Sequence, residues 1–221
     1  MYLGDEMFAT NKLVYKTLTQ LVVEKLKEKI IVGEIQPGER IHQDILANEF
    51  NTSKNPIREA LLLLKAEGFV TIESNKGAMV SVINIDQIDE LFSLKILIET
   101  DLLASSLPHI LDEKLEEARV ILRQLNLTTS ASLWCDLNKQ YYNCLYSGTQ
   151  RPQTQEMLTI LRTKIERYNH LHFLSIKDKQ GKYSDINKLL EYCSQRKISS
   201  AIEQLKQHIL NSRDEIKLLL Q

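Results

Sequence analysis

The chain has almost no net charge: 28 Lys and Arg stand against 29 Asp and Glu, a formal −1. Bulk attraction to a polyanion is therefore excluded, and even residues 1–83 hold about as many acidic as basic groups. Any nucleic-acid contact must rest on a few well-placed cations. Cysteine is scarce: Cys135, Cys144 and Cys193 are odd in number and widely spaced, with no CxxC and no Cys/His cluster. That excludes a disulfide framework and a zinc finger, and reads as buried thiols in a reducing cytosol. Long apolar runs are missing as well. Leu61–Leu64, the longest near the front, is far too short to span a bilayer. Asp5 and Glu6 interrupt the start, which argues against a signal peptide, so the expected location is the cytoplasm, away from membranes. The signatures of common enzymes are absent too: no Gly-rich phosphate loop, no HExxH, no GxSxG.

What is present is helical periodicity with sparse punctuation. At 221 residues the chain can form one large domain or two modest ones. Within Val14–Gly33, the apolar residues Leu18, Leu21, Val22, Leu26, Ile30 and Ile31 recur at helical spacing, and Gly33 is a plausible stop. Pro37-Gly38 marks a turn, and Ile41–Phe50 predicts a short helix with Ile45, Leu46 and Phe50 inward. Asn51-Thr52-Ser53 is a tight turn in which Thr52 or Ser53 caps the next helix. Pro56 sits in that helix's first turn, where a missing N–H is tolerated. Ile57, Ala60, Leu61 and Leu64 form its buried stripe.

After Gly68 the pattern changes. Residues 69–73 alternate like a strand, 74–77 form a turn containing Gly77, and 78–82 return. Nothing else reads as strand. From Asn84, a candidate N-cap, helices are expected near 86–107, 112–127, 130–147, 152–177, 184–195 and 197–220, with Gly181 among the interruptions. The predicted architecture is mainly α. Residues 1–83 form a winged helix-turn-helix, and residues 84–221 an all-α bundle of about six helices.

A helix-turn-helix places the first residues of its second helix in the major groove. Here those residues are Lys54, Asn55 and Arg58. A guanidinium pairs with guanine O6 and N7, which makes Arg58 the foremost base-reading candidate. Lys54 and Asn55 suit a base or a phosphate. Thr52 and Ser53 suit backbone oxygens, and Asn75, Lys76 and Gly77 at the wing tip suit the minor groove. The same charged positions are also compatible with a solvated helix face.

The order Gly33-Glu34, Pro37-Gly38-Glu39-Arg40, Leu46-Ala47, Ser53–Leu61, Glu67–Val70 and Asn75–Ala78 resembles the N-terminal domain of GntR-family bacterial transcription regulators. The helical remainder is similar to the FCD effector-sensing domain of the FadR subfamily in its six-helix form. The resemblance implies a homodimer on a palindromic operator in double-stranded DNA, a repressor by default. It also implies control by a small-molecule effector, an organic acid among the candidates, and a backbone contact from Arg40. Lys54 stands where the family more often has arginine.

Many FCD domains hold a divalent metal through one Asp and three His. The matching positions here are Asn138, Tyr142, Ile186 and His208, so one imidazole survives and no structural metal or other cofactor is expected. Asn138, Tyr142 and His208, together with Lys95, remain candidates for an effector pocket. His208 is equally readable as a satisfied core histidine. Lys95 and Glu99, four apart, read more simply as an ion pair on a helix surface. His170 and His172, two apart, point to different helix faces and are set aside as ligands, and Trp134 and the Tyr-rich 141–146 segment are assigned to core and pocket wall. Two other functions fit less of the chain: a winged-helix module that binds protein instead of an operator, and an enzyme of unknown chemistry.

Overall fold

The computed structural model describes residues 17–82, 84–175 and 179–220. The expectations concerning Asp5, Glu6 and the helix start at Val14 lie outside them. Among the described residues, α1 (Leu18–Ile31), β1 (Arg40–Ile41), α2 (Gln43–Glu49), α3 (Lys54–Ala66), β2 (Val70–Glu73) and β3 (Gly77–Val80) come first. They are followed by α4 (Ile85–Ser106), α5 (Asp112–Leu127), α6 (Ala131–Leu145), α7 (Pro152–Ser175), α8 (Lys179–Ser194) and α9 (Ile198–Leu219).

The first helix starts at a capping box: the Thr17 hydroxyl accepts from the Gln20 amide, and the Gln20 side chain returns to the Thr17 amide. It buries Val22, Val23, Leu26 and Ile30, while Leu18 and Leu21, apolar residues at the same helical spacing, are exposed. In α2, Leu46 and Ala47 are buried, and Ile45, expected inward, is exposed. Asn51 makes the turn with φ of 48°, a left-handed conformation that asparagine tolerates. Ser53 is the N-cap of α3, yet its hydroxyl makes no capping bond. Ile57, Ala60, Leu61 and Leu64 are all buried, as the spacing predicts.

The sheet has three strands in the order β1-β3-β2, all antiparallel. The expectation of a lone hairpin is corrected by β1, whose Arg40 and Ile41 pair with Met79 and Ala78. Two residues are too few to show alternation. These elements close a hydrophobic cluster of their own, centred on Leu26, Ile57, Leu61 and Phe69.

A second cluster joins the six later helices, among them Phe92, Leu102, Leu125, Tyr141, Leu189 and Leu205. Asn84 caps α4 by accepting from the Asp86 amide. Hydroxyls tie the bundle together. Tyr183 donates to the Leu125 carbonyl and accepts from the Trp134 indole, at 2.8 and 3.1 Å. Ser106 at the end of α4 donates to the Leu145 carbonyl and accepts from the Gly148 amide. Gly181, expected to interrupt, lies inside α8, which begins at Lys179. A single glycine costs a helix only about 1 kcal/mol, which packing readily overrides.

Candidate nucleic-acid interface and effector cavity

The amphipathic stripe of α3 fixes its outer face. With Ile57 and Ala60 buried, Lys54, Asn55, Arg58 and Glu59 are exposed. Lys54 is paired with Asp44 at the start of α2, and Lys76 with Glu73 across the wing tip. Arg58 and Arg40 have no ion-pair or hydrogen-bond partner among the described residues and stand ready for an anion. Thr52 is half-buried, while Ser53 and Asn75 are exposed. Arg40 belongs to the sheet, and its guanidinium lies against Gly77: a Cβ added there would meet it at 3.6 Å. Gly77 has φ of +78°, so glycine both forms the turn and leaves room for the arginine. The wing and the entry to the helix-turn-helix thus share one cationic corner.

In the bundle, the four candidate pocket residues converge. Lys95, Asn138, Tyr142 and His208 line one small cavity with Phe92, Trp134, Asn169, His172, Ile209 and Ser212. Its volume is about 10 Å³, room for roughly one water. His172, set aside from the sequence, is on this wall. Its Nε2 lies 3.1 Å from Glu215, and its ring meets Trp134 edge-on. The alternation of His170 and His172 between faces is real, but one of those faces is the cavity.

The Lys95–Glu99 pair is not on the surface: Glu99 is 1% exposed, 3.7 Å from Lys95 and 3.8 Å from Arg162. Lys95 and Arg162 lie over the rings of Tyr142 and Tyr146, respectively. Both Glu99 oxygens and both phenol oxygens are buried without a hydrogen-bond partner. Burial and the Glu99 charge push both phenols well above their ordinary pKa, so they stay protonated. Such a set calls for water or a hydroxyl-bearing guest.

The donors do not reproduce the metal set of FCD domains. The Ile186 side chain is in the hydrophobic cluster, where its carbonyl accepts from Tyr141, and Tyr142 is a neutral phenol. His172 adds a second imidazole, which the sequence could not place. Two imidazoles, an amide and a phenol still lack the carboxylate that would hold a divalent ion tightly here.

The two halves meet along α7. The buried His170 ring packs edge-on against Phe69, with centroids 6.0 Å apart, and Lys27 lies over the other ring at 5.5 Å.

Comparison with known proteins supplies the family. Residues 18–80 match the family described as bacterial regulatory proteins, gntR family, and residues 90–211 match the FCD domain. A Bacillus subtilis HTH-type transcriptional regulator, YdhC, is 30% identical over 200 residues, covering 84% of this chain and 83% of its own. The Paraburkholderia xenovorans HTH-type regulator BphR is 25% identical over 225 residues, covering 95% of this chain and 91% of its own. A Pseudomonas syringae GntR-family regulator structure is 26% identical with a TM-score of 0.55, covering 92% of this chain and 86% of its own. Escherichia coli McbR/YncC, at 19% identity, shares the fold with a TM-score of 0.70, covering 94% of this chain and all of its own. No described helix is long and apolar enough to cross a membrane. The chain belongs to the GntR family of bacterial transcription regulators, with a winged helix-turn-helix followed by an FCD domain.

Proposed function

We propose that the protein is a cytoplasmic, effector-controlled repressor. Residues 1–83 bind a palindromic operator, residues 84–221 dimerise and hold the effector, and the protein has no enzymatic role. The observation that carries the DNA reading is the unpaired, exposed Arg58 at the groove-facing end of α3, flanked by Lys54, Asn55 and Arg40. Dimerisation is supported by exposed Leu94 and Leu97 on α4 and exposed Met157 and Ile160 on α7, which packs against it: large apolar side chains without cover in the single chain. Two half-sites read by two copies multiply affinity and specificity.

For the effector, Lys95, His172, His208, Asn138 and Asn169 offer converging donors. They favour a small carboxylate or another oxyanion. A cavity of about 10 Å³ must widen to admit it. Because α7 carries Asn169 and His172 into the cavity and His170 onto Phe69, movement of that helix is a direct route to the winged helix.

Selection from a randomised DNA library, with Arg58→Ala in parallel, tests the reading. Enrichment of one palindrome by the native protein alone supports it. No enrichment at moderate salt, with or without a metabolite extract, points to the protein-binding alternative.

A further inference from the structure

Where α6 and α7 meet the winged helix, Cys135, Glu166 and His170 each bring one ligand atom to within 4.8 Å of the other two. Glu166 and His170 are one turn apart on α7, with Nε2 to Oε1 at 3.5 Å, and Cys135 faces them from α6. We propose that these three side chains bind a thiophilic divalent cation of the zinc class, at the junction of the two domains and apart from the effector cavity.

The separations suit this use. Metal–sulfur and metal–nitrogen bonds of about 2.3 and 2.0 Å at a tetrahedral centre put the ligand atoms roughly 3.5 Å apart. The Glu166–His170 pair already stands at that spacing, and Cys135 has at most about 1.3 Å to close. His170 also lacks a sufficient reason for its burial within the protein. It is 3% exposed, and its Nε2 stands 3.5 Å from the Glu166 carboxylate, too far for a strong bond. Thiolate, imidazole and carboxylate together suit zinc and its thiophilic neighbours, whereas magnesium and calcium want oxygen throughout. Three protein ligands leave the fourth position to water.

The charge change is small. Burial, then Glu166 and Asp136, push the Cys135 thiol well above its ordinary pKa, so without metal it is S–H. Binding forms the metal–sulfur bond and releases that proton to solvent. His170 coordinates as the neutral imidazole. Burial opposes the Glu166 charge, but His170, Lys27 and Lys139 outweigh it and keep the carboxylate ionised. Phe69 and Lys27 rest on this cluster, so an ion there stiffens the contact between winged helix and bundle.

Cobalt(II) titration of the reduced, chelator-stripped full chain tests the site. A near-ultraviolet thiolate-to-cobalt band and tetrahedral d–d bands should saturate at one ion per chain and disappear on adding zinc. Cys135→Ser should lose the thiolate band, and Cys144→Ser should keep it. Glu166→Gln, a near-isosteric change at a partly exposed carboxylate, should weaken binding by at least the roughly tenfold that even outer-shell partners cost. It should also lose the zinc-dependent rise in Tm. Absence of the thiolate band, its survival in Cys135→Ser, or unchanged affinity in Glu166→Gln would overturn the proposal. Cobalt bands without sulfur character would place the metal in the histidine-lined cavity instead. Should Cys135→Ser not fold, the Glu166→Gln comparison decides.

Discussion

Arg58 can be altered without disturbing the fold, because it is exposed and makes no ion pair or side-chain hydrogen bond among the described residues. Arg58→Ala should therefore leave Tm unchanged while costing about 1–3 kcal/mol of specific DNA binding, measured by titration at fixed salt. Unchanged operator affinity would remove it from the interface. The thiols make a second expectation. Burial pushes Cys193 up to about 12 and Cys144 up to about 11, and Cys135 is also raised. With so little thiolate at neutral pH, all three should resist iodoacetamide in the native protein and react quickly once unfolded, as mass spectrometry would show. The residue scale is also where the sequence was least informative. Lys95, Asn138, Tyr142 and His208 could be nominated through the family resemblance, and they do share a cavity. His172 could not, since helical spacing tells which residues share a face but not which face meets which neighbour. For the same reason the approach of Cys135 on α6 to Glu166 and His170, one turn apart on α7, left no mark in the sequence.

Among the elements, the helix-turn-helix was legible because its signals are local: a buried stripe on α3, a three-residue turn and a first-turn proline. The wing's third strand was not, because β1 is two residues long and exists only by pairing with β3. Gly181 misled because α8 is held by packing and not by propensity. At the end of α6, Gly148 is a different kind of glycine: a Cβ there would lie 2.4 Å from the Ser106 carbonyl and 2.5 Å from the Ile110 amide. Gly148→Ala should force α4 and α6 apart and cost about 1–3 kcal/mol or more in urea unfolding. A second tie joins α4 to α9. Lys217 donates to Asp89 at 2.7 Å, and that bond, with Arg213 nearby, holds the Asp89 carboxyl below its ordinary value. A carboxyl depressed on folding stabilises above its unfolded pKa and loses that contribution as pH falls through the folded one. The Asp89–Lys217 coupling in a double-mutant cycle should therefore be present at neutral pH, small at about 0.2–1 kcal/mol given its exposure, and vanish in acid.

At the scale of the molecule, a near-neutral chain that reads DNA through few cations should show a shallower salt dependence than a strongly basic binder, though still a clear fall in affinity as salt rises. The uncovered leucines of α4 give the assembly a simple test. Leu97 is 67% exposed, so Leu97→Glu should leave the monomer folded and shift sedimentation from dimer to monomer. Operator binding should weaken with it, because half-sites are then engaged singly. The chain has two separate hydrophobic clusters, and His170 of α7 against Phe69 of the winged helix is a contact between the two halves.

The chain holds a single tryptophan, Trp134, and its ring lines the cavity proposed for the effector, edge-on to His172 and hydrogen-bonded to Tyr183. The protein therefore carries its own optical probe. An effector entering beside His172 and His208 changes the solvent and charge around the indole, and the unmodified protein can be screened against candidate molecules by emission alone. Cys135 is the next residue along the chain, so a paramagnetic ion at the junction would dim the same signal, and entry at either site becomes visible without a label.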